Sequence, residues 1–121
     1  MKHRVKGRKL SRIRKQRRSL LKSLLASLIM REKIATTEAK AKELKPLVER
    51  IIHKAKQAKV DDKKKVKVIR DLQNMIPSPA VKKLSSDFLN RFSERSSGYV
   101  RVVKLGRRRG DSANMAVIEF V

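Results

Sequence analysis

Hydrophobic residues recur at three- and four-residue spacings in four stretches of the chain, and this spacing predicts four amphipathic helices. The first begins at Ser11, a residue type favoured at helix N-caps, and the others cover about 38–57, 61–75 and 80–92. Pro46 lies inside the second stretch, but the spacing continues in phase beyond it, so we expect a kink rather than a break. The positions predicted to be buried are Ile13, Leu20, Leu21, Leu24, Leu25, Leu28, Ala41, Leu44, Val48, Ile51, Ile52, Ala55, Val66, Ile69, Leu72, Val81, Leu84, Phe88, Leu89 and Phe92.

Three short stretches are rich in β-branched and apolar residues and predict strands, at 33–36, 99–105 and 115–121. Gly106 and Gly110 lie between the last two stretches. A short connection that contains glycine is typical of a β-hairpin, so we expect these two strands to pair directly.

Alternation along a strand predicts which of its side chains face the helices. In the last strand the apolar residues on one face are Ala116, Ile118 and Phe120. In the strand before it, two inward pairs fit the alternation equally well, Val100 with Val102 or Val103 with Leu105. The sequence leaves that choice open.

Length and composition suit one small domain. The chain has 121 residues and 40% of them are hydrophobic, which is enough for one modest core. Residues 2–10 lack hydrophobic periodicity and contain Gly7. We therefore predict an extended basic tail over residues 1–10 and a single α/β domain over residues 11–121.

Positive charge is in large excess: 34 Lys and Arg stand against 11 Asp and Glu, and the formal net charge is +23. The excess is concentrated in residues 1–18, where ten residues are Lys or Arg and none is acidic. The first acidic residue of the chain is Glu32. Such a segment repels itself in water, whereas a polyanion cancels the repulsion, so it predicts nucleic-acid binding. The candidate contact residues are Lys2, His3, Arg4, Lys6, Arg8, Lys9, Arg12, Arg14, Lys15, Arg17 and Arg18. We call residues 2–18 the basic arm.

A second basic cluster, Arg107, Arg108 and Arg109, lies at the predicted hairpin tip, where Asp111 is the nearby acid. The alternative is an exposed turn that is basic without function, but three consecutive arginines favour contact with RNA. Lys and Arg neutralise phosphates, and Arg adds bidentate contacts. The chain has one Tyr and three Phe, and the Phe residues lie on predicted core faces. Recognition of folded RNA by shape and backbone is therefore favoured over base stacking.

The sequence offers no pattern for catalysis or metal binding. It contains no cysteine and no Gly-rich phosphate loop. His3 and His53 have no neighbours at ligand spacing, and we expect His53 to be partly buried beside the second helix. We predict that the chain is not an enzyme and takes no cofactor, metal ion or small-molecule substrate.

Three other partners or destinations account for part of the pattern. Residues 1–30 are basic and amphipathic, as in an organelle presequence or a cationic membrane-active peptide. No apolar run approaches the roughly 18–20 residues of a spanning helix, and we predict no membrane association. A nucleoid-type DNA-binding protein would use the same charge, but the sequence has no helix-turn-helix pattern.

Short motifs spread in order over the whole chain resemble the family of bacterial large-subunit ribosomal protein seventeen. The matching segments are the opening Met-Lys-His-Arg with Gly7-Arg8-Lys9-Leu10, Lys33-Ile34-Ala35-Thr36-Thr37, Lys40-Ala41-Lys42-Glu43-Leu44, Arg70-Asp71-Leu72, Gly98-Tyr99-Val100-Arg101, Arg108-Arg109-Gly110-Asp111 and Ala116-Val117-Ile118-Glu119. Their number and order make the match more specific than any one of them.

The resemblance implies an α+β fold, a two-layer domain ordered helix-strand-helix-helix-helix-strand-strand, with a small three-stranded mixed sheet packed on the helices. It implies a structural role, without catalysis, in the cytoplasmic ribosome. The implied partners are large-subunit ribosomal RNA, on the solvent side of the subunit, and neighbouring large-subunit proteins near the polypeptide exit. Because the match starts at residue 1, the basic arm aligns with the mature family, which argues against a presequence.

Overall fold

Helices cover one face of a small sheet in the computed structural model, which describes residues 7–121. The elements in chain order are α1 (Arg14–Arg31), β1 (Lys33–Thr37), α2 (Glu38–Val60), α3 (Asp62–Met75), α4 (Ser78–Leu84), a 3₁₀ helix (Asp87–Phe92), β2 (Val100–Arg107) and β3 (Asn114–Phe120). The predicted α+β class and two-layer packing are confirmed, and the order differs only in the division of the last helix.

Helix α2 is the centre of the core. Its six predicted inward residues, Ala41, Leu44, Val48, Ile51, Ile52 and Ala55, are all buried. The helix starts after Thr37 with Glu38 in its first turn, where a carboxylate suits the positive end of the helix dipole. The helix continues through Pro46 without a break, and the side chain of Pro46 is exposed.

The sheet is antiparallel throughout, and the expectation of a mixed sheet is wrong. Strand β3 lies in the middle, with β1 and β2 on either side, and both neighbours run opposite to it. The hairpin connection makes β2 antiparallel to β3, as predicted. The error concerned β1, which also runs antiparallel to β3. The inner face of the sheet carries Ala116, Ile118 and Phe120 from β3, as predicted, and Val100 with half-buried Val102 from β2.

Glu32 fixes the direction of β1 at the point where α1 ends. Its backbone is left-handed (φ 66°), an uncommon conformation outside glycine, and this reverses the chain into the strand. Its carbonyl accepts the Phe120 N–H at 3.1 Å, while its carboxylate pairs with Arg91 and, at 3.6 Å, with Lys83. One residue thereby ties α1 to β3, α4 and the 3₁₀ helix.

Glu49 on α2 fixes the start of β2. Its carboxylate accepts the backbone N–H groups of Gly98 at 3.1 Å, Tyr99 at 2.8 Å and Val100 at 3.4 Å. Hydrogen bonds to a charged acceptor are stronger than neutral ones. The start of the hairpin is therefore anchored directly to the central helix.

The predicted last helix, 80–92, is two elements. Helix α4 ends at Leu84, and a 3₁₀ helix begins at Asp87. Between them, Ser85 donates its hydroxyl to the Val81 carbonyl at 3.0 Å and Ser86 donates to the Lys83 carbonyl at 2.5 Å. Serine side chains that bond to nearby carbonyls compete with helix continuation. The burial prediction for this stretch holds, since Val81, Leu84, Leu89 and Phe92 are buried and Phe88 is half-buried.

Four positions differ from the sequence prediction. Ser11 has a left-handed backbone and does not cap α1, which begins at Arg14 after Ile13. Ile13 is 66% exposed and Val66 is 60% exposed, although both fit the helical spacing. Val68 replaces Val66 in the core, because α3 is rotated relative to the predicted stripe. His53 is exposed, with its ring Nε2 3.3 Å from the Gln57 amide nitrogen.

Candidate nucleic-acid interface

Helix α1 has two halves with different surroundings. Leu25, Leu28 and Ile29, in its second half, are buried in the core, and they hold the helix in place. The first half extends beyond the core, and its side chains other than those of Arg17, Leu20 and Leu21 are exposed. The fold thus aims a cationic helix end outward from a rigid base.

A groove runs between this outward half of α1 and the end of α3. Its lining residues are Arg14, Lys15, Arg18, Ser19, Lys22 and Asn74. Four of these six carry positive charge and none is acidic, so the groove suits an anion with several phosphates. Arg17 is half-buried and lies outside this lining.

Lys22 and Asn74 belong to the groove but were not among the candidate contact residues. The signal for Lys22 was present in the sequence, because Arg14, Arg18 and Lys22 are spaced by four and share one helical face. Asn74 had no such signal, because only the tertiary fold brings the end of α3 near α1. The amide of Asn74 adds a neutral hydrogen-bond donor to the cationic lining.

The basic arm crosses α2 before it reaches α1. Arg8 donates from Nη1 to Glu43 Oε2 at 3.3 Å, and Gly7 lies so close that a Cβ there would be 2.8 Å from Glu43 Oε1. Gly7 is also left-handed (φ 84°), so glycine is favoured at this crossing. Arg12 donates to the Leu10 carbonyl at 2.7 Å, while Lys9 is exposed. Lys2, His3, Arg4 and Lys6 lie outside the described residues.

Arg8 also brings the arm to the loop end of the hairpin. It lines a shallow groove together with Glu38, Lys42, Ala113 and Asn114. The two clusters predicted from separate parts of the sequence, the basic arm and the hairpin, therefore meet at one edge of the molecule.

The three arginines at the hairpin tip have two different surroundings. Arg108 is held by Asp111 through two hydrogen bonds, from Nε at 3.2 Å and from Nη2 at 2.6 Å. Asp111 also accepts the Ala113 N–H at 3.1 Å, and the Arg108 N–H donates to the Ala113 carbonyl at 2.8 Å. The side chains of Arg107 and Arg109 are exposed and form no ion pair within residues 7–121. Arg108 organises the loop, while its two neighbours remain available to an outside anion.

The Arg108 guanidinium, followed by the Ala113 N–H, lowers the pKa of Asp111 from its usual range to about 2, and the Asp111 carboxylate in turn raises the pKa of Arg108. Because the folded pKa lies below the unfolded value, the loop contact is fully present above the unfolded pKa and is lost as pH falls through about 2. We expect a carbon-13 NMR titration of the Asp111 carboxyl to give a midpoint near 2. Arg108→Gln should move it upward, toward the ordinary value of about 3.9.

Arg109→Gln is the matched control for that titration, since it removes an adjacent arginine that does not contact Asp111 in the structure. It should leave the midpoint near 2. An equal rise in both variants would mean that the general positive field, and not the paired geometry, lowers the pKa of Asp111.

Other chemistry finds no support in the described part of the chain. Residues 7–121 contain no group of three His, Cys, Asp or Glu placed to hold a metal ion. Within the same residues, no helix has the length and apolar character needed to cross a membrane. The cationic surfaces described above, by contrast, are suited to phosphate.

Comparison with known proteins gives one family over nearly the whole chain. Residues 20–121 match the family model described as ribosomal protein L17. A protein of Shouchella clausii is 44% identical over 118 residues, which cover 93% of this chain and 97% of the relative. A protein of Hydrogenobaculum is 43% identical over 122 residues, which cover 100% of this chain and 99% of the relative. Both relatives are named large ribosomal subunit protein bL17.

Proposed function

The chain belongs to the ribosomal protein L17 family, and from this premise we propose that it binds large-subunit ribosomal RNA through the basic arm, the α1 groove and the hairpin tip. Family membership makes it a structural constituent of the large ribosomal subunit in the cytoplasm that takes part in translation, and not an enzyme. The contacts with RNA are our proposal. So is a position on the solvent side of the subunit, with neighbouring proteins near the polypeptide exit.

The acid-free groove along α1 is the observation that carries this proposal. Seven of the chain's 11 acidic residues are engaged internally, and five of them form ion pairs: Glu32, Glu38, Glu43, Asp111 and Glu119. Glu49 holds backbone N–H groups, and Asp61 accepts the Lys63 N–H at the start of α3. Few carboxylates within the chain are therefore available to neutralise the cations of α1. Ribosomal RNA would supply the negative charge that pairs with them.

We also propose that residues 1–10 act as a tail and residues 11–121 as the folding domain. Within residues 7–121 the buried hydrophobic residues run from Leu25 to Phe120, so none of residues 7–13 belongs to the core. The contact between Arg8 and Glu43 is a surface ion pair, which contributes only about 0–1 kcal/mol. The tail would then serve RNA binding and not folding.

The salt dependence of RNA binding tests the proposed function. If six to ten phosphates are engaged, as an estimate from the number of cations in the arm and hairpin, log K against log salt should fall with a slope of roughly −4 to −9. The measurement is a filter-binding titration of the full chain with a large-subunit RNA fragment at several salt concentrations. A flat dependence would contradict the electrostatic mechanism.

Duplex DNA of equal length is the competitor that separates specific RNA binding from attraction to any polyanion. We expect it to displace the RNA fragment only at a large excess, because folded RNA presents a phosphate arrangement that a straight duplex does not. Equal competition would favour a nucleoid-type protein.

A further inference from the structure

The sheet has a second face that the described helices leave open. Cross-strand pairing defines its rows: Lys33 with Glu119 and Arg101, then Ala35 with Val117 and Val103, then Thr37 with Met115. Leu105 bulges out of β2 beside the last row. The outer face is defined here as Ala35, Val103, Leu105, Met115 and Val117.

Exposure on the outer face is unusual for apolar side chains next to a core. Val103 is 45% exposed and Leu105 is 57% exposed, whereas Val100 on the opposite face is 3% exposed. Met115 and Val117 are half-buried and lie beside them on the central strand, β3. A contiguous exposed apolar surface in a folded domain marks an interaction site more often than an isolated exposed residue does.

The charges around this face differ from those of the RNA-binding surfaces. None of the five residues that define the outer face is charged, and the neighbouring row on the same side of the sheet, Lys33 with Glu119 and Arg101, is partly compensated. Glu119 accepts a hydrogen bond from Arg101 Nε at 2.7 Å and lies 4.0 Å from Lys33 Nζ. In a chain of net charge +23, an apolar surface with a compensated edge does not suit a phosphate backbone.

We propose that the outer face docks an apolar polypeptide segment of a neighbouring ribosomal protein, an inference that rests on the proposed place in the large subunit. Lys33 and Arg101 share the single carboxylate of Glu119, and their side chains are 66% and 62% exposed. One positive charge is left over, so the partner segment carries an acidic residue at this end. Valine, leucine and methionine side chains supply the apolar contact.

The segment lies across the face and does not extend the sheet at the tip of β2. The register shift between Lys104 and Gly106 is a bulge, and Gly106 is left-handed there (φ 96°). A bulge bends and twists an edge strand and interrupts its row of pairing groups. Side-chain contact with the face is then the main source of binding.

Photo-crosslinking from Val103 in intact large subunits tests the proposal. Val103→p-benzoyl-L-phenylalanine should give a single major adduct with another ribosomal protein, through a peptide with apolar residues and one acid. Val66, exposed on α3 away from the sheet, is the matched control position and should not give that adduct. An adduct with RNA, with residues 1–6 of this chain or with a second copy of it, or no adduct, would overturn the proposal.

Val103→Lys gives an independent readout with opposite signs for the two kinds of partner. A lysine on a face that docks an apolar segment should lower retention of the chain by large subunits roughly tenfold, which corresponds to about 1.4 kcal/mol. A lysine on a face that meets RNA should raise retention. Val66→Lys adds the same charge on α3 and should change retention little.

The free Val103→Lys chain should unfold at the same urea concentration as the wild type and bind the RNA fragment with unchanged salt slope. An unchanged urea midpoint would show that the variant still folds. An unchanged salt slope would show that its RNA binding, the proposed function, is intact. A loss of retention would then report docking alone. Retention of Val103→Lys equal to that of the wild type would overturn the docking proposal even if RNA binding is as proposed.

Discussion

Phe92→Ala is expected to lower the free energy of unfolding by about 3–5 kcal/mol. Phe92 is fully buried at the junction of the 3₁₀ helix with the sheet. Its ring centroid lies 5.4 Å from that of Phe88, 5.5 Å from that of Tyr99 and 5.5 Å from that of Phe120. Truncation removes three aromatic contacts and leaves a cavity that well-packed neighbours do not refill. Urea unfolding followed by circular dichroism, at constant ionic strength, measures the change.

Phe88→Ala is the matched control for this prediction. Phe88 contacts Phe92 and Phe120 with similar geometry, at 5.4 and 5.1 Å, but it is only half-buried. It should cost less than Phe92→Ala, because part of its surface is already in water. The slope of the urea transition should stay constant in both variants, so the midpoint reports stability. A larger loss at Phe88 would contradict the placement of Phe92 at the centre of the cluster.

The long periodic elements could be predicted from the sequence because their surroundings are uniform along their length. All six inward positions of α2 are buried, since this helix is packed along its length between the sheet and other helices. Ala116, Ile118 and Phe120 are buried because β3 is the central strand. In such elements the side-chain period alone determines which residues are inside.

Periodicity failed where an element leaves the core. Ile13 fits the α1 stripe but precedes the first helical residue, and no partner covers it in the described part of the chain. The break between α4 and the 3₁₀ helix depends on two serine hydroxyls, whose bonds to carbonyls the hydrophobic pattern does not encode. Alternation also does not encode the direction of β1, because it is the same in parallel and antiparallel strands. β1 runs antiparallel to β3, so the mixed sheet that the resemblance implied is wrong.

The sequence likewise predicted some parts of the candidate site and not others. Charge density along the sequence located the arm and the hairpin, because phosphate binding needs many cations and little exact spacing. It did not reveal that Arg108 is held by Asp111 while Arg107 and Arg109 are exposed. Charge density also could not place Asn74 beside α1, because that neighbourhood depends on the tertiary fold.

Replacing the groove cations by the triple substitution Arg14→Gln, Lys15→Gln and Arg18→Gln is expected to weaken RNA binding roughly 100- to 500-fold near 0.1 M salt. Each lost phosphate contact removes about 0.7–0.9 from the salt slope, so three should make the slope shallower by about 2.1–2.7. All three residues are exposed and line one groove, so the fold should be unaffected. Filter binding with the large-subunit RNA fragment at several salt concentrations measures affinity and slope together.

The matched control removes the same charge from the first half of α3, whose residues do not line the groove: Lys63→Gln, Lys64→Gln and Lys67→Gln. These lysines are also exposed and form no ion pair within residues 7–121. Both triple variants lower the net charge from +23 to +20, since each removes three positive charges. If total charge alone governed binding, the two would lose equal affinity. If the groove holds phosphates, the α1 variant should lose much more RNA affinity than the α3 variant, and its salt slope should change more. The reason is that only the substituted α1 residues line the groove.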